Sequence, residues 1–151
     1  MFYVIEHITN FEKEVNLVKK DFDAKIQDKI ALGKAISKLR FDKSISLRQL
    51  SKSIGIPPSN LTYIENGVNA PTADIYELII QKLTPTIKQR RMMDALFMKI
   101  RKMPPPDVCS VILQNKELCE KIRLLSDISL SSAQLMNIEK LFTEFKNNID
   151  I

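Results

Sequence analysis

Residues 45–72 read ISLRQLSKSIGIPPSNLTYIENGVNAPT, and two short helices hinged on one glycine can be read from this stretch. Ser46 with Gln49 three positions later makes a capping box, in which each side chain satisfies the other residue's backbone amide at a helix start. Leu50 and Ile54 then face inward, and Gly55 supplies the left-handed turn that follows. Pro58 has no N–H to lose, so it suits a first helical position and opens the second helix, which carries Leu61 and Ile64. Asn66 and Gly67 close it. Ser59, Asn60, Thr62 and Tyr63 fall on the outward side, and Leu61 and Ile64 alone would satisfy a core.

Working outward from this pair, the apolar spacing is helical in nearly every segment, which predicts an all-α protein. Upstream, Thr9 followed by Glu12 reads as a second capping box, and Phe11, Val15, Val18 and Phe22 repeat at helical spacing, predicting an amphipathic helix from about Asn10. That helix needs a partner face, from its own domain or from a second subunit. Leu32, Ile36 and Leu39 mark the stripe of the next helix, expected to end near Phe41–Ser44. Downstream, Thr72 starts a helix with Ile75, Leu78, Ile79 and Leu83 inside. Thr84 and Pro85 begin a longer one with Met93, Leu96, Phe97 and Ile100 on one face and Lys88, Arg90, Arg91, Lys99, Arg101 and Lys102 on others. Pro104, Pro105 and Pro106 stop it and offer the best domain boundary in the chain. Shorter helices are expected around Val108–Leu113 and Leu118–Leu125, with a last one capped by Ser131 and Gln134 and lined by Leu135, Ile138, Leu141, Phe142 and Phe145.

The composition of the 151 residues, 44% hydrophobic and 27% charged, suits a globular chain that can bury a core. No apolar run approaches the roughly 20 residues of a membrane span, and MFYVIEHITNFEKE lacks the basic flank and cleavage site of a signal peptide. A cytoplasmic protein with no membrane partner is expected. Cys109 and Cys119 lie ten apart, which fits neither a disulfide framework nor a zinc cluster, and only His7 could add an imidazole; they read as buried thiols. With three glycines and no phosphate-cradling loop, no catalytic residue, metal or cofactor is expected. The net charge of +5 is concentrated in the middle, with +4 over 31–67 and +5 over 86–102, flanked by mildly acidic ends. Solvated basic helices would account for this charge. Its coincidence with the helix pair favours nucleic acid.

The pair resembles the helix-turn-helix of lambda-repressor-like, Xre/Cro-type regulators, and LGKAISKLR (32–40) resembles that family's first helix. The resemblance implies a five-helix DNA-binding domain whose second short helix enters the major groove. It implies base-facing roles for Pro58, Ser59, Asn60, Thr62 and Tyr63. Asn can bond adenine twice, and no Arg is present to read guanine, so an A·T-leaning operator is expected. Lys43, Arg48, Lys52, Asn66 and Asn69 become candidates for phosphate contacts. Members of the family commonly pair an Arg of the first helix with the Glu of the E-x-G turn, here Arg40 and Glu65, which are expected to form a partly buried ion pair. Two positions depart from the pattern: Pro57 stands where Ser or Thr usually caps the recognition helix, and Leu47 where Gln often contacts a phosphate.

Beyond the prolines, MPPPDVCSVILQNKELCEKIRLLSDISLSSAQLMNIEKLF (103–142) resembles the C-terminal domain of repressors of the DdrO and ImmR type. Pro105, Asn115, Glu117, Leu118, Arg123, Leu125, Ser126, Leu135 and Leu141 carry that likeness. It implies homodimerisation, and cleavage near Ile122 and Arg123 by a zinc metallopeptidase of the ImmA/IrrE type that relieves repression. KELCEKIRLLS reads equally well as an amphipathic core helix. The expected organisation is an N-terminal helical extension over 1–30, a helix-turn-helix domain over 31–84, a basic connecting helix and proline linker over 85–106, and a helical dimerisation domain over 107–151. The implied function is a dimeric transcriptional repressor that binds a double-stranded DNA operator. A HigA-like antitoxin that autoregulates its operon and neutralises a toxin is one alternative; a protein–protein interaction module is another.

Overall fold

The computed structural model describes the backbone of residues 2–125 and 129–149 and the side chains of residues 16–17, 19–125 and 129–144. Among the described residues there are helices and no strands, as the periodicity predicts. The helices are α1 (Phe2–Asp42), α2 (Leu47–Ser53), α3 (Pro58–Glu65), α4 (Ala73–Leu83), α5 (Ile87–Arg101), α6 (Pro106–Gln114), α7 (Lys116–Leu125) and α8 (Ser132–Ile149). The chain divides into a unit of residues 1–109 and a unit of residues 110–151.

In the first unit, the second half of α1 is the platform. Leu32, Ile36 and Leu39 are buried at helical spacing, and Leu50, Leu61 and Ile64 from α2 and α3 meet them in one core. From α4 come Tyr76, Ile79, Ile80 and Leu83, and from α5 Met93, Phe97 and Ile100. Ile75 and Leu78, expected inside, are only half-buried; Tyr76 and Ile80 occupy the deeper positions. The Tyr76 ring stacks on Phe97 at 4.4 Å, and its hydroxyl donates to Asp94 Oδ1 at 2.7 Å. Burial raises the Tyr76 pKa above the ordinary phenol value, and the acceptor on Asp94 adds to the effect.

Several boundaries differ from the sequence reading. The two helices expected over 10–41 are a single helix of 41 residues, so Thr9 and Glu12 lie inside α1 rather than at a helix start. No proline interrupts that run, and a lone glycine, Gly33, lowers helical stability by only ~1 kcal/mol. The side chains of Phe11, Val15, Val18 and Phe145 lie outside the described residues, as does Ser126. α5 begins at Ile87, capped by Thr86 in a box with Gln89, because Thr84 takes a left-handed φ of 38° and ends α4 instead. α5 is also no mere connector, since its apolar stripe completes the core that α1 to α4 begin. Pro104–Pro106 do follow the end of α5. The unit nevertheless runs on to Cys109, and within it Asp107 Oδ2 stands 3.1 Å from Arg90 Nη2. Cys109 and Cys119 are half-buried rather than buried, and both are free thiols.

The second unit comprises the end of α6, α7 and α8. Asn115 Oδ1 accepts from Leu118 N at 3.0 Å and starts α7, and Ser131 Oγ accepts from Gln134 N at 3.3 Å and starts α8, where the sequence places the cap. None of its described side chains is buried. Leu113, Leu124, Met136 and Phe142 are all more than half exposed.

Gly33 lies where α1 crosses the end of α3. A Cβ there would lie 2.4 Å from the carbonyl oxygens of both Ile64 and Glu65. Backbone atoms cannot give way as a side-chain tip can, so only glycine lets α1 come this close to the end of α3. Gly33→Ala is expected to destabilise the protein by about 1–3 kcal/mol through overpacking, despite the better helix propensity of alanine. Urea denaturation measures it, and an unchanged or raised midpoint would show that the crossing can relax.

Candidate nucleic-acid interface

α2 and α3 are built as the sequence pattern requires. At the start of α2, Gln49 N donates to Ser46 Oγ at 3.1 Å while Ser46 N donates to Gln49 Oε1 at 2.8 Å. Gly55 turns the chain at φ 71°. α3 starts at Pro58 without a side-chain cap from Pro57. With prolines at 57 and 58, the first amide N–H of α3 belongs to Ser59, so few orphan donors need a cap. The helix closes through Gly67, again at φ 71°, whose missing Cβ would meet Ile30 Cα at 2.5 Å.

Behind α3, Arg40 and Glu65 form a buried two-pronged ion pair, Nε to Oε1 and Nη2 to Oε2, both at 2.7 Å. The third guanidinium nitrogen, Nη1, donates to Ile45 O at 3.0 Å in the turn before α2. One arginine therefore ties α1, the entry to α2 and the end of α3 together. The hydrogen bond to Glu65 raises the Arg40 pKa against the opposing effect of desolvation.

On the outward side, Pro58, Ser59 and Asn60 are exposed, and Tyr63 is 48% exposed. Thr62 is half-buried, and its Oγ1 donates back to Pro58 O at 3.0 Å, which leaves a methyl group and an acceptor rather than a donor. Arg48 and Lys52 are exposed one turn apart on α2, and Asn66 and Asn69 are exposed just after α3. Lys43 is exposed but donates from Nζ to Thr84 Oγ1 at 2.9 Å, at the end of α4. Leu47 is half-buried against the core, which accounts for an apolar residue at that position.

The turn after α3 is held by two cations that sequence reasoning did not assign to it. Lys29 Nζ donates to Val68 O at 3.1 Å. Arg101 donates to Pro71 O at 2.8 Å and to Ala70 O at 2.7 Å. Arg90, also read as part of a basic face, stands 3.2 Å from Asp94, 3.1 Å from Asp107 and 3.5 Å from Glu77. Burial disfavours its charge, but the three carboxylates more than offset this and raise its pKa. Lys88, Arg91 and Lys99 remain exposed on α5, as does Lys102 just after it. Among the described residues no cluster of His, Cys, Asp and Glu could hold a metal ion. No helix among them is long and apolar enough to cross a membrane.

Residues 36–84, from the buried half of α1 to the end of α4, match the family described as Helix-turn-helix. They form a helix-turn-helix domain. The function class this domain supports is a DNA-binding regulator, generally without enzymatic activity. The match covers about a third of the chain and does not reach the C-terminal unit, whose likeness to DdrO and ImmR repressors rests on its sequence alone. No curated protein and no solved structure matches the chain. Ile122 and Arg123 both lie within α7, where Arg123 Nη1 meets Glu120 Oε1 at 2.5 Å.

The Arg40–Glu65 pair yields a clear expectation for the helix-turn-helix. Removing one partner leaves an uncompensated buried charge, so Arg40→Met or Glu65→Gln alone should cost roughly 3–5 kcal/mol. The double variant should cost less than the sum of the two. A denaturation double-mutant cycle measures this, and strictly additive costs would mean that the pair does not brace α3.

Proposed function

We propose that the protein is a sequence-specific transcriptional repressor that binds a double-stranded DNA operator as a dimer. The observation that carries this reading is the presentation of Ser59, Asn60 and Tyr63 on a helix fixed from behind by a buried ion pair. A recognition helix has to hold its outward groups in register with base edges, and a short helix of 8 residues cannot do so unaided. Asn60 is the group able to make two bonds to adenine, which favours an A·T-leaning site. Arg48, Lys52, Asn66 and Asn69 flank α3 and suit phosphates, which set register rather than sequence.

The dimer is supported by the C-terminal unit. Single helices with uncovered apolar stripes bury them by association, and Leu113, Leu124, Met136 and Phe142 are the exposed residues that a partner copy would cover. One helix-turn-helix makes too few base contacts for tight specific binding, and two copies double them. Relief by an ImmA/IrrE-type peptidase at Ile122–Arg123 belongs to the same proposal. It requires the later turns of α7 to unwind, because a helical bond is not presented in extended form.

Footprinting on the promoter upstream of its own gene tests the reader. Protection should weaken by roughly 10³-fold or more between 50 and 200 mM salt if six or more phosphates are neutralised. Asn60→Ala should cost about 1–3 kcal/mol of discrimination at one base pair while leaving nonspecific binding intact. Protection unaltered in a Ser59→Ala, Asn60→Ala, Tyr63→Ala triple variant would remove α3 as the reading element.

A further inference from the structure

The described side chains in the first 25 residues of α1 supply none of the buried residues of the core, yet they lie on the same unbroken helix. Asn16, Leu17 and residues 19–25 are exposed, with Leu17 at 72% and Phe22 at 63%. The exposed part of a helix gains no tertiary packing, and packing supplies most of a helix's stability in water. Its sequence shows what would cover it. Val4, Ile8, Phe11, Val15, Val18 and Phe22 alternate by fours and threes without an error, which is the seam of a coiled coil rather than the broader stripe of a helix lying on a globular core. Ile8, Val15 and Phe22 fall on a positions, and Val4, Phe11 and Val18 on d. Lys25 occupies the next d position and ends the seam just before α1 enters the core, whose first fully buried residue is Leu32.

The flanking charges select an orientation. Glu14 is a g residue and Lys19 the e residue of the following heptad, the two positions that meet between parallel chains. An antiparallel pair using all six seam layers instead sets Glu14 against Glu14 and Glu12 against Glu12 at its centre. Such like-charge contacts disfavour the arrangement. From the heptad seam and these charges, we infer that residues 4–25 pair with the same segment of a second copy as a parallel, two-stranded coiled coil. This deepens the dimeric reading above and rests on it, adding a contact at the opposite end of the chain from the C-terminal unit.

Cysteine cross-linking of the full chain tests the pairing, in a Cys109→Ser, Cys119→Ser background with native helicity checked by circular dichroism. Val15→Cys lies on the seam and should oxidise to a disulfide-linked dimer, whereas Lys13→Cys on the outer face should not. Glu14→Lys should suppress the Val15→Cys cross-link, and adding Lys19→Glu should restore it. Failure of Val15→Cys to cross-link, or equal cross-linking by Lys13→Cys, overturns the inference. Duplex binding by the reduced chain is read separately, so loss of any sequence preference with the cross-link intact would sink the repressor reading and leave the coiled coil standing.

Discussion

The close crossing of α1 over the end of α3 is the constraint on which the rest of the helix-turn-helix depends. Gly33 allows the two backbones to meet, with Ile64 O and Glu65 O where a Cβ would stand. Seven residues further along α1, Arg40 reaches the Glu65 carboxylate at 2.7 Å. Steric fit and charge therefore act on the same last turn of α3 from the same helix. Hydrophobic contacts through Leu61 and Ile64 are non-directional and leave rotation about the helix axis weakly specified. The two-pronged pair is directional, and it sets which residues of α3 face outward.

Charge in this chain serves structure as much as any ligand. The positive excess over residues 86–102 suggests a continuous basic face, but Arg90 is surrounded by three carboxylates and Arg101 is spent on two carbonyls of the turn after α3. Lys29 holds the same turn from α1. The exposed cations that remain are fewer than a charge count implies, and those flanking α3 are Arg48 and Lys52. Loop carbonyls left without protein donors would otherwise need water. Donors from α1 and α5 hold the turn so that Asn66 and Asn69 keep a defined position beside α3.

Local rules were legible and long-range ones were not. The capping boxes at Ser46 and Ser131, the left-handed Gly55 and Gly67, and the start of α3 at Pro58 each depend on residues within a turn of one another, and each stands where the sequence places it. The continuity of α1 is not legible locally, because a Thr–Glu pair three apart caps a helix only if the preceding residues are not already helical. Gly33 did leave a signal, as a lone glycine in an otherwise unbroken helical pattern, but its reason lies across the fold in the carbonyls of α3. Tyr76 and Arg101 left none. Nothing local distinguishes a tyrosine that will stack inside from one at a surface, or an arginine that will grip a loop from one that will face solvent.

A single helix that carries both the proposed coiled-coil seam and the brace of the reader has a mechanical consequence. From Phe22 to Gly33 is eleven residues of unbroken helix, or about 16 Å at 1.5 Å per residue, with no hinge between them. Half-sites on one face of B-DNA lie about 34 Å apart, so in the dimeric repressor proposed above the separation of the two copies of α3 would have to match that repeat. A loop linker would leave the separation to thermal motion and add an ordering cost on every binding event. A rigid helix held to α3 at one end and, in the proposed coiled coil, to its copy at the other would instead fix it before DNA arrives. Among the described residues of α1 the core begins at Leu32, and the length of helix ahead of it is explained if that length sets spacing.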